Sequence, residues 1–107
     1  MTSRFQIARP AKRDLQEITD YCTAEWGFEA AATVVNRIME VIKMLANYPM
    51  AGVAAEQFGA SVRKFPAGRY VIYYRQGRTK RIGILHVFHG ARDQVRAWKA
   101  RARQKSH

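Results

Sequence analysis

The chain has 107 residues, and 48% of them are hydrophobic. This suffices for one two-layer core and excludes a second core, so residues 1–107 are predicted to form a single domain. No segment approaches the about 20 apolar residues of a membrane span, and the N-terminus lacks the apolar core of a signal peptide, so we expect a cytoplasmic protein with no membrane partner. A lone Cys22 excludes an internal disulfide, and no residue pattern indicates a metal or a cofactor.

The positive charge is concentrated in the second half of the chain. The formal net charge is +11, from 19 Lys and Arg against 8 Asp and Glu. Residues 1–53 hold six basic and six acidic side chains, whereas residues 54–107 hold thirteen Lys and Arg against only Glu56 and Asp93. This asymmetry predicts one electropositive face that binds a polyanion or an acidic protein.

The first half predicts a short strand followed by two helices. Residues 4–8 alternate like a strand, and a helix is predicted for residues 11–26 from apolar residues at three- and four-residue steps, namely Leu15, Ile18, Cys22 and Trp26. Gly27 suits the left-handed position that ends a helix. A second helix of about twenty residues then ends at Tyr48 before Pro49, because proline disfavours helix in the residue before it. The short connection predicts an antiparallel helical hairpin.

The second half changes from helical to alternating periodicity. We predict a loop over residues 49–60, strands over residues 61–65, 69–76 and 81–88, and turns at residues 66–68 and around Gly77. The predicted fold is α+β, in the order β-α-α-β-β-β, with the helical hairpin packed on an antiparallel sheet. Residues 94–107 form a basic tail, for which Asp93 could cap a C-terminal helix anchored by Val95 and Trp98.

Alternation along the strands predicts which side chains share a face of the sheet. In the middle strand, one face holds Arg69, Val71, Tyr73 and Arg75, and the other holds Tyr70, Ile72 and Tyr74. In the last strand, one face holds Ile82, Ile84, His86 and Phe88, and the other holds Gly83, Leu85, Val87 and His89. Neither face is wholly polar, so we expect the second face to be semi-polar and partly covered by the tail or by a partner.

A basic and aromatic cluster is the first candidate for function, and its members are Arg63, Lys64, Arg69, Arg75, Tyr73 and Tyr74. Such a cluster is suited to phosphates and stacked bases. The structural alternative is that cations on edge strands prevent sheets from aggregating.

The second candidate function is that of a metal-free ribonuclease. Such an enzyme needs a general base, a general acid, and cations that stabilise the negative charge developing on the phosphorane. His89, a tyrosine (Tyr73 or Tyr74) and Arg92 could fill these roles. Histidines near a core are more often structural, and His86 and His89 point to opposite faces of a strand, which argues against a shared metal. Asp93 is more simply a helix cap or a partner for Arg69.

Three segments together resemble the RelE/ParE superfamily of bacterial type II toxins: ARPAKRDLQEITDYCTAEWG, VRKFPAGRYVIYYR and ILHVFHGARD. The resemblance spans residues 5–93 and is closest to the ParE branch. It implies a growth-inhibiting toxin that is neutralised by a cognate antitoxin, whose acidic, flexible segment wraps the basic domain. The ParE branch poisons DNA gyrase by binding, whereas the RelE branch cleaves messenger RNA on the ribosome.

The resemblance favours a gyrase poison that is not an enzyme, since no RelE-type pattern of catalytic residues can be matched. On this interpretation the antitoxin binds the helical hairpin and the outer side of the sheet, and the tail faces gyrase or its DNA. The predicted partner contacts are Arg63, Lys64, Arg69, Tyr73, Arg75, Arg92, Arg96, Trp98 and Arg101. Two alternatives remain: a ribosome-dependent ribonuclease using Arg63, Tyr74, His89 and Arg92, and a non-toxic nucleic-acid-binding module.

Overall fold

The fold is described from a computed structural model that covers residues 4–91, 96 and 98–100. Strand β1 (Phe5–Ile7) is followed by helices α1 (Arg9–Trp26) and α2 (Phe28–Asn47). Strands β2 (Val53–Ala54), β3 (Arg63–Ala67), β4 (Tyr70–Gln76) and β5 (Ile82–His89) follow, with a short 3-10 turn at Glu56–Phe58. Residues 96 and 98–100 are helical. None of the helices in these ranges is long and apolar enough to cross a membrane.

The predicted order of elements is confirmed, but the sheet is mixed rather than wholly antiparallel. Its strand order is β1-β5-β4-β3-β2, and β1 runs parallel to β5 while the other neighbours are antiparallel. The segment predicted as a loop contributes the extra edge strand β2. Strand β3 also runs through Pro66, which was predicted to lie in a turn. Strand β2 pairs with β3 at Arg63 and Lys64 and does not reach Pro66. At Pro66, β3 is therefore an edge strand, and proline is tolerated in edge strands because the N–H that it lacks is not needed for pairing.

The helical hairpin is confirmed, with Gly27 as its corner. Gly27 has φ +95°, a conformation that side chains disfavour, and its N–H donates to the carbonyl of Thr23. Its own carbonyl accepts from the N–H of Ala31 in the first turn of α2, so one residue ends α1 and begins α2. The first helix begins at Arg9 rather than at residue 11, because Pro10 fits the first turn of a helix.

A β-bulge in β5 overturns the predicted faces of that strand. Tyr73 pairs with His86, whereas the next residue, Tyr74, pairs with Ile84, which leaves Leu85 as the extra residue. The alternation therefore shifts by one position after Ile84. Val87 joins Ile82 and Ile84 on the helix-covered face, and His86 and Phe88 turn to the opposite face with Leu85.

Each face of the sheet carries its own apolar cluster. The larger one lies under the helices and includes the buried Cys22, Ile38, Leu45, Ile72 and Ile84. The smaller one covers the other face and is formed by Ala55, Val62, Tyr73 and Phe88 with Val71, Leu85, Phe58 and Trp98 packed on it. The expected cover from the tail is thus confirmed through Trp98, but the centre of this face is apolar and aromatic rather than semi-polar.

Candidate functional site

Tyr74, a candidate acid or base, is used by the fold to hold a loop. Its side chain is fully buried, and its hydroxyl donates to the carbonyl of Pro49 (2.7 Å) and accepts from the N–H of Gly52 (2.9 Å). Arg63 Nη1 donates to the carbonyl of Gly52 at 2.6 Å. Burial raises the pKa of Tyr74, against the lowering effects of the Gly52 N–H and of Arg63. A phenol with its hydrogen-bonding positions occupied has no free atom for a substrate.

His89, the other candidate base, lies at the opposite end of the sheet from Tyr74. It pairs with Tyr70, four residues before Tyr74 on the same strand, which corresponds to about 13 Å. The His89 ring meets the ring of Tyr70 edge to face, with centroids 5.3 Å apart, and its Nδ1 accepts from the N–H of Ala91. Arg92, the fourth member of the candidate ribonuclease set, lies outside the described residues. Of the three described members, Arg63 and Tyr74 lie side by side as cross-strand partners, whereas His89 lies apart from both.

Tyr73, a predicted partner contact, is buried in the outer apolar cluster. Phe58 and Trp98 pack against it, with ring centroids 4.9 and 5.5 Å from its own. Its hydroxyl is buried and has no hydrogen-bond partner within the described part of the chain, and burial raises the pKa of Tyr73. A partner could reach Tyr73 only by displacing Trp98, so both side chains belong to the protein's own packing in this structure.

The predicted cationic contacts are spread over two ends of the sheet. Lys64 stands opposite Tyr73 and Arg75 is two residues further along β4, on the same face, whereas Arg69 lies in the turn between β3 and β4. Arg96 is exposed, and Arg101 lies outside the described residues. Among the described residues, Lys64, Arg69 and Arg75 form no ion pair.

Asp14 is a buried acidic residue that sequence reasoning missed. Its Oδ2 accepts from the N–H of Val87 and lies 3.1 Å from Nδ1 of His86. Strand β1 pairs with β5 only as far as Ile84. Beyond Ile84, the Asp14 side chain of α1 accepts the backbone hydrogen bond of β5 that a neighbouring strand would otherwise accept. The contact with Asp14 gives His86 a structural role. In the described part of the chain, no three His, Cys, Asp or Glu side chains could hold a metal ion together.

A cleft of about 1070 Å³ opens between the helical hairpin and the end of the sheet where β3 turns into β4. Tyr21 and Trp26 form its outer wall, and they are 55% and 58% exposed, with their rings edge to face at 5.7 Å. The cleft has three basic side chains, Arg37, Arg69 and His89, and two acidic ones, Asp14 and Glu17. Its mixture of exposed aromatic and cationic groups is typical of a protein-binding site.

Of the residues lining this cleft, sequence reasoning had selected only Arg69 and His89 as candidates. It had assigned Trp26 to the core, but Trp26 is the last residue of α1, and the reversal at Gly27 leaves it at the edge of the hairpin. Tyr21 lies off the apolar stripe of α1, and a large aromatic residue on the polar face of a helix is the signal that could have found it. Nothing local distinguishes Arg37 on α2.

Comparisons with known proteins agree on one family. The sequence matches the family model described as ParE toxin of type II toxin-antitoxin system, parDE, over residues 5–94. Toxin ParE1 of Caulobacter vibrioides is 35% identical over 92 residues, which cover 85% of this chain and 96% of that protein. Toxin ParE1 of Mycobacterium tuberculosis is 28% identical over 93 residues, covering 87% of this chain and 95% of that protein.

The fold agrees as well. A chain from a solved structure of the chromosomal ParDE TA system from P. aeruginosa is similar with a TM-score of 0.66 and 25% identity, covering 81% of this chain and 98% of that one. The family model spans most of the chain, and the structural similarity extends over a comparable share of it. The chain therefore belongs to the ParE toxin family of type II toxin–antitoxin systems, whose toxins are paired with a cognate antitoxin.

Proposed function

We propose that this toxin inhibits DNA gyrase by binding it and does not cleave RNA. The observation that carries the proposal is the separation of the groups a ribonuclease would need. The Tyr74 hydroxyl is buried and hydrogen-bonded at one end of the sheet, and His89 is exposed at the other. General acid–base catalysis requires both groups within hydrogen-bonding reach of one substrate. A protein-binding inhibitor has no such requirement, and membership of the ParE family supports this choice.

We further propose that the cleft between the hairpin and the sheet receives the acidic segment of the antitoxin. Tyr21 and Trp26 offer exposed aromatic surface for apolar anchors, and Arg37 and Arg69 offer charges for carboxylates. Asp14 does not oppose such a segment strongly, because its carboxylate is buried against Val87 and His86. The lining therefore supports a segment that is both apolar and acidic.

The test is to add the purified toxin to DNA gyrase with relaxed plasmid and, separately, to a coupled translation reaction. We expect loss of supercoiling and accumulation of cleaved plasmid, with messenger RNA left intact. Induction in bacteria should correspondingly give DNA breakage and filamentation before protein synthesis stops. Arrested translation with cleaved messages and unaffected gyrase would overturn the proposal in favour of the ribonuclease.

A further inference from the structure

Three large apolar side chains are exposed within six residues after α2. Tyr48, Met50 and Val53 are 67%, 68% and 60% exposed, and together they form what we call the 48–53 patch. Exposed apolar side chains that are grouped together mark interaction surfaces on soluble proteins, whereas single scattered ones need no explanation. Tyrosine and methionine are also enriched where proteins meet.

The backbone beneath the 48–53 patch is held firmly in place. Tyr74 bonds to both the carbonyl of Pro49 and the N–H of Gly52, and Arg63 bonds to the carbonyl of Gly52. Gly52 is packed so closely that an added Cβ would lie 2.5 Å from the Tyr74 hydroxyl. A loop whose backbone is fixed in this way avoids the entropic cost of ordering that backbone on binding. The buried Tyr74 and the partly buried Arg63 thus support a binding surface.

The surroundings of the patch are mainly cationic. Arg4 reaches Asn47, the residue before Tyr48, through a 2.6 Å bond to its side chain. Lys43 is exposed one helical turn before Asn47. Arg63 and Glu56 line a recess of about 290 Å³ beside Met50. Three cations against one carboxylate around an apolar centre complement an acidic protein surface with apolar anchoring points.

The patch and the cleft occupy different ends of the molecule. The cleft is lined by the first half of α2, at Thr33, Val34 and Arg37, whereas the patch begins after its last residue. From Arg37 to the last residue of α2, Asn47, the helix rises by about 15 Å. One partner in the cleft would therefore leave the patch accessible to another.

We propose that the 48–53 patch is the surface by which the toxin binds its protein target, and that this target surface is acidic and apolar. The proposal rests on the proposed function, because it takes the target to be gyrase. It also moves the target contact away from the tail, where Trp98 packs inward against Tyr73 and His86.

The test compares two variants of the full chain for inhibition of purified gyrase. The patch variant is Tyr48→Ser/Met50→Ser/Val53→Thr, and the control is Phe28→Ser, which removes an apolar side chain that is 78% exposed at the start of α2. We expect the patch variant to need at least about tenfold more protein for half-inhibition of supercoiling, the effect of losing the central anchors of an interface. Phe28→Ser should inhibit like the wild type.

A charge variant checks the chemistry of the target without touching the apolar side chains. Lys43→Glu should weaken inhibition several-fold at low salt, and the difference from wild type should shrink as salt rises. Circular dichroism and melting temperature establish that each variant is folded, and the single variant Met50→Ser replaces the triple one if that one unfolds.

The outcomes separate this proposal from the function on which it rests. Wild-type toxin without effect on gyrase would overturn the proposed function and the patch with it. Wild-type inhibition that the folded patch variant retains, with Lys43→Glu also without effect, would overturn the patch alone. Loss of inhibition in Phe28→Ser but not in the patch variant would place the target contact at the start of α2 and equally refute the proposal.

Discussion

Two adjacent buried tyrosines allow the same chemical change to be made with opposite expected effects on stability. Tyr73 and Tyr74 are both fully buried, on opposite faces of β4. The Tyr74 hydroxyl has two hydrogen bonds to the loop that follows α2, while the Tyr73 hydroxyl has none to any residue that the structure describes. Replacing each by phenylalanine removes one oxygen atom and leaves the ring.

The magnitudes follow from the hydrogen bonds. Tyr74→Phe loses two bonds, each worth about 1 kcal/mol net, and leaves the buried N–H of Gly52 without a partner, so the free energy of unfolding should fall by about 3 kcal/mol. Tyr73→Phe removes a hydroxyl whose burial is uncompensated, and the free energy of unfolding should stay unchanged or rise by about 1 kcal/mol. The two melting temperatures should differ by about 15 °C.

Urea unfolding followed by circular dichroism measures both variants against the wild type, and hydrogen exchange at the Gly52 amide reports on the loop itself. We expect this amide to exchange faster in Tyr74→Phe and at the wild-type rate in Tyr73→Phe. Equal destabilisation by the two substitutions would refute the reasoning, because both keep the ring and, among the described residues, only the Tyr74 hydroxyl has hydrogen bonds to lose.

Three further predictions concern stability. Asp14→Ala should lower the free energy of unfolding by about 3 kcal/mol in urea titrations, because the buried N–H of Val87 loses its acceptor. Asp14→Asn keeps an acceptor and should lower the free energy of unfolding clearly less. Equal losses in the two variants would contradict this account. Gly52→Ala should cost about 3 kcal/mol by thermal unfolding, since its Cβ would lie 2.7 Å from the carbonyl of Lys64, while Gly83→Ala, with its nearest atom at 3.9 Å, should be tolerated. Stability should also fall in alkali. Burial, and then the Cys22 hydrogen bond, raises the pKa of Tyr70 from 10.0 to about 12, and burial raises those of Tyr73 and Tyr74. Because the pKa of the Tyr70 phenol is higher in the folded state than in the unfolded state, its contribution to stability is fully present below pH 10 and is lost as pH rises toward 12. The melting temperature measured from pH 8 to 12 should therefore drop mainly above 10, and by less in Tyr70→Phe; a flat profile would contradict the burial of these phenols.

Local patterns were sufficient for the elements and for the family. Apolar steps of three and four residues predicted both helices, Gly27 and Pro49 predicted where they end, and alternation predicted every strand of the described sheet except β2. The quoted segments were sufficient to assign the chain to the RelE/ParE superfamily, which the ParE family match confirms. These features depend on neighbours within a few residues, so the sequence contains them directly.

The positions of the functional side chains depended on contacts between distant residues. The parallel pairing of β1 with β5 leaves an open edge that Asp14 fills from α1, and the bulge at Leu85 turns His86 and Val87 to faces that simple alternation excludes. The bonds from Tyr74 to the loop after α2 convert a candidate catalytic group into a support.

What the sequence by itself determined is therefore the order of helices and strands, the concentration of positive charge in the second half, and the toxin family. Only the tertiary structure decided that Tyr73 is covered by Trp98, that Tyr74 and His89 lie apart, and that Tyr21 and Trp26 border a cleft. The physical reason is that periodicity fixes which side of its own element a residue occupies, whereas burial and accessibility are fixed by the other elements that pack against it.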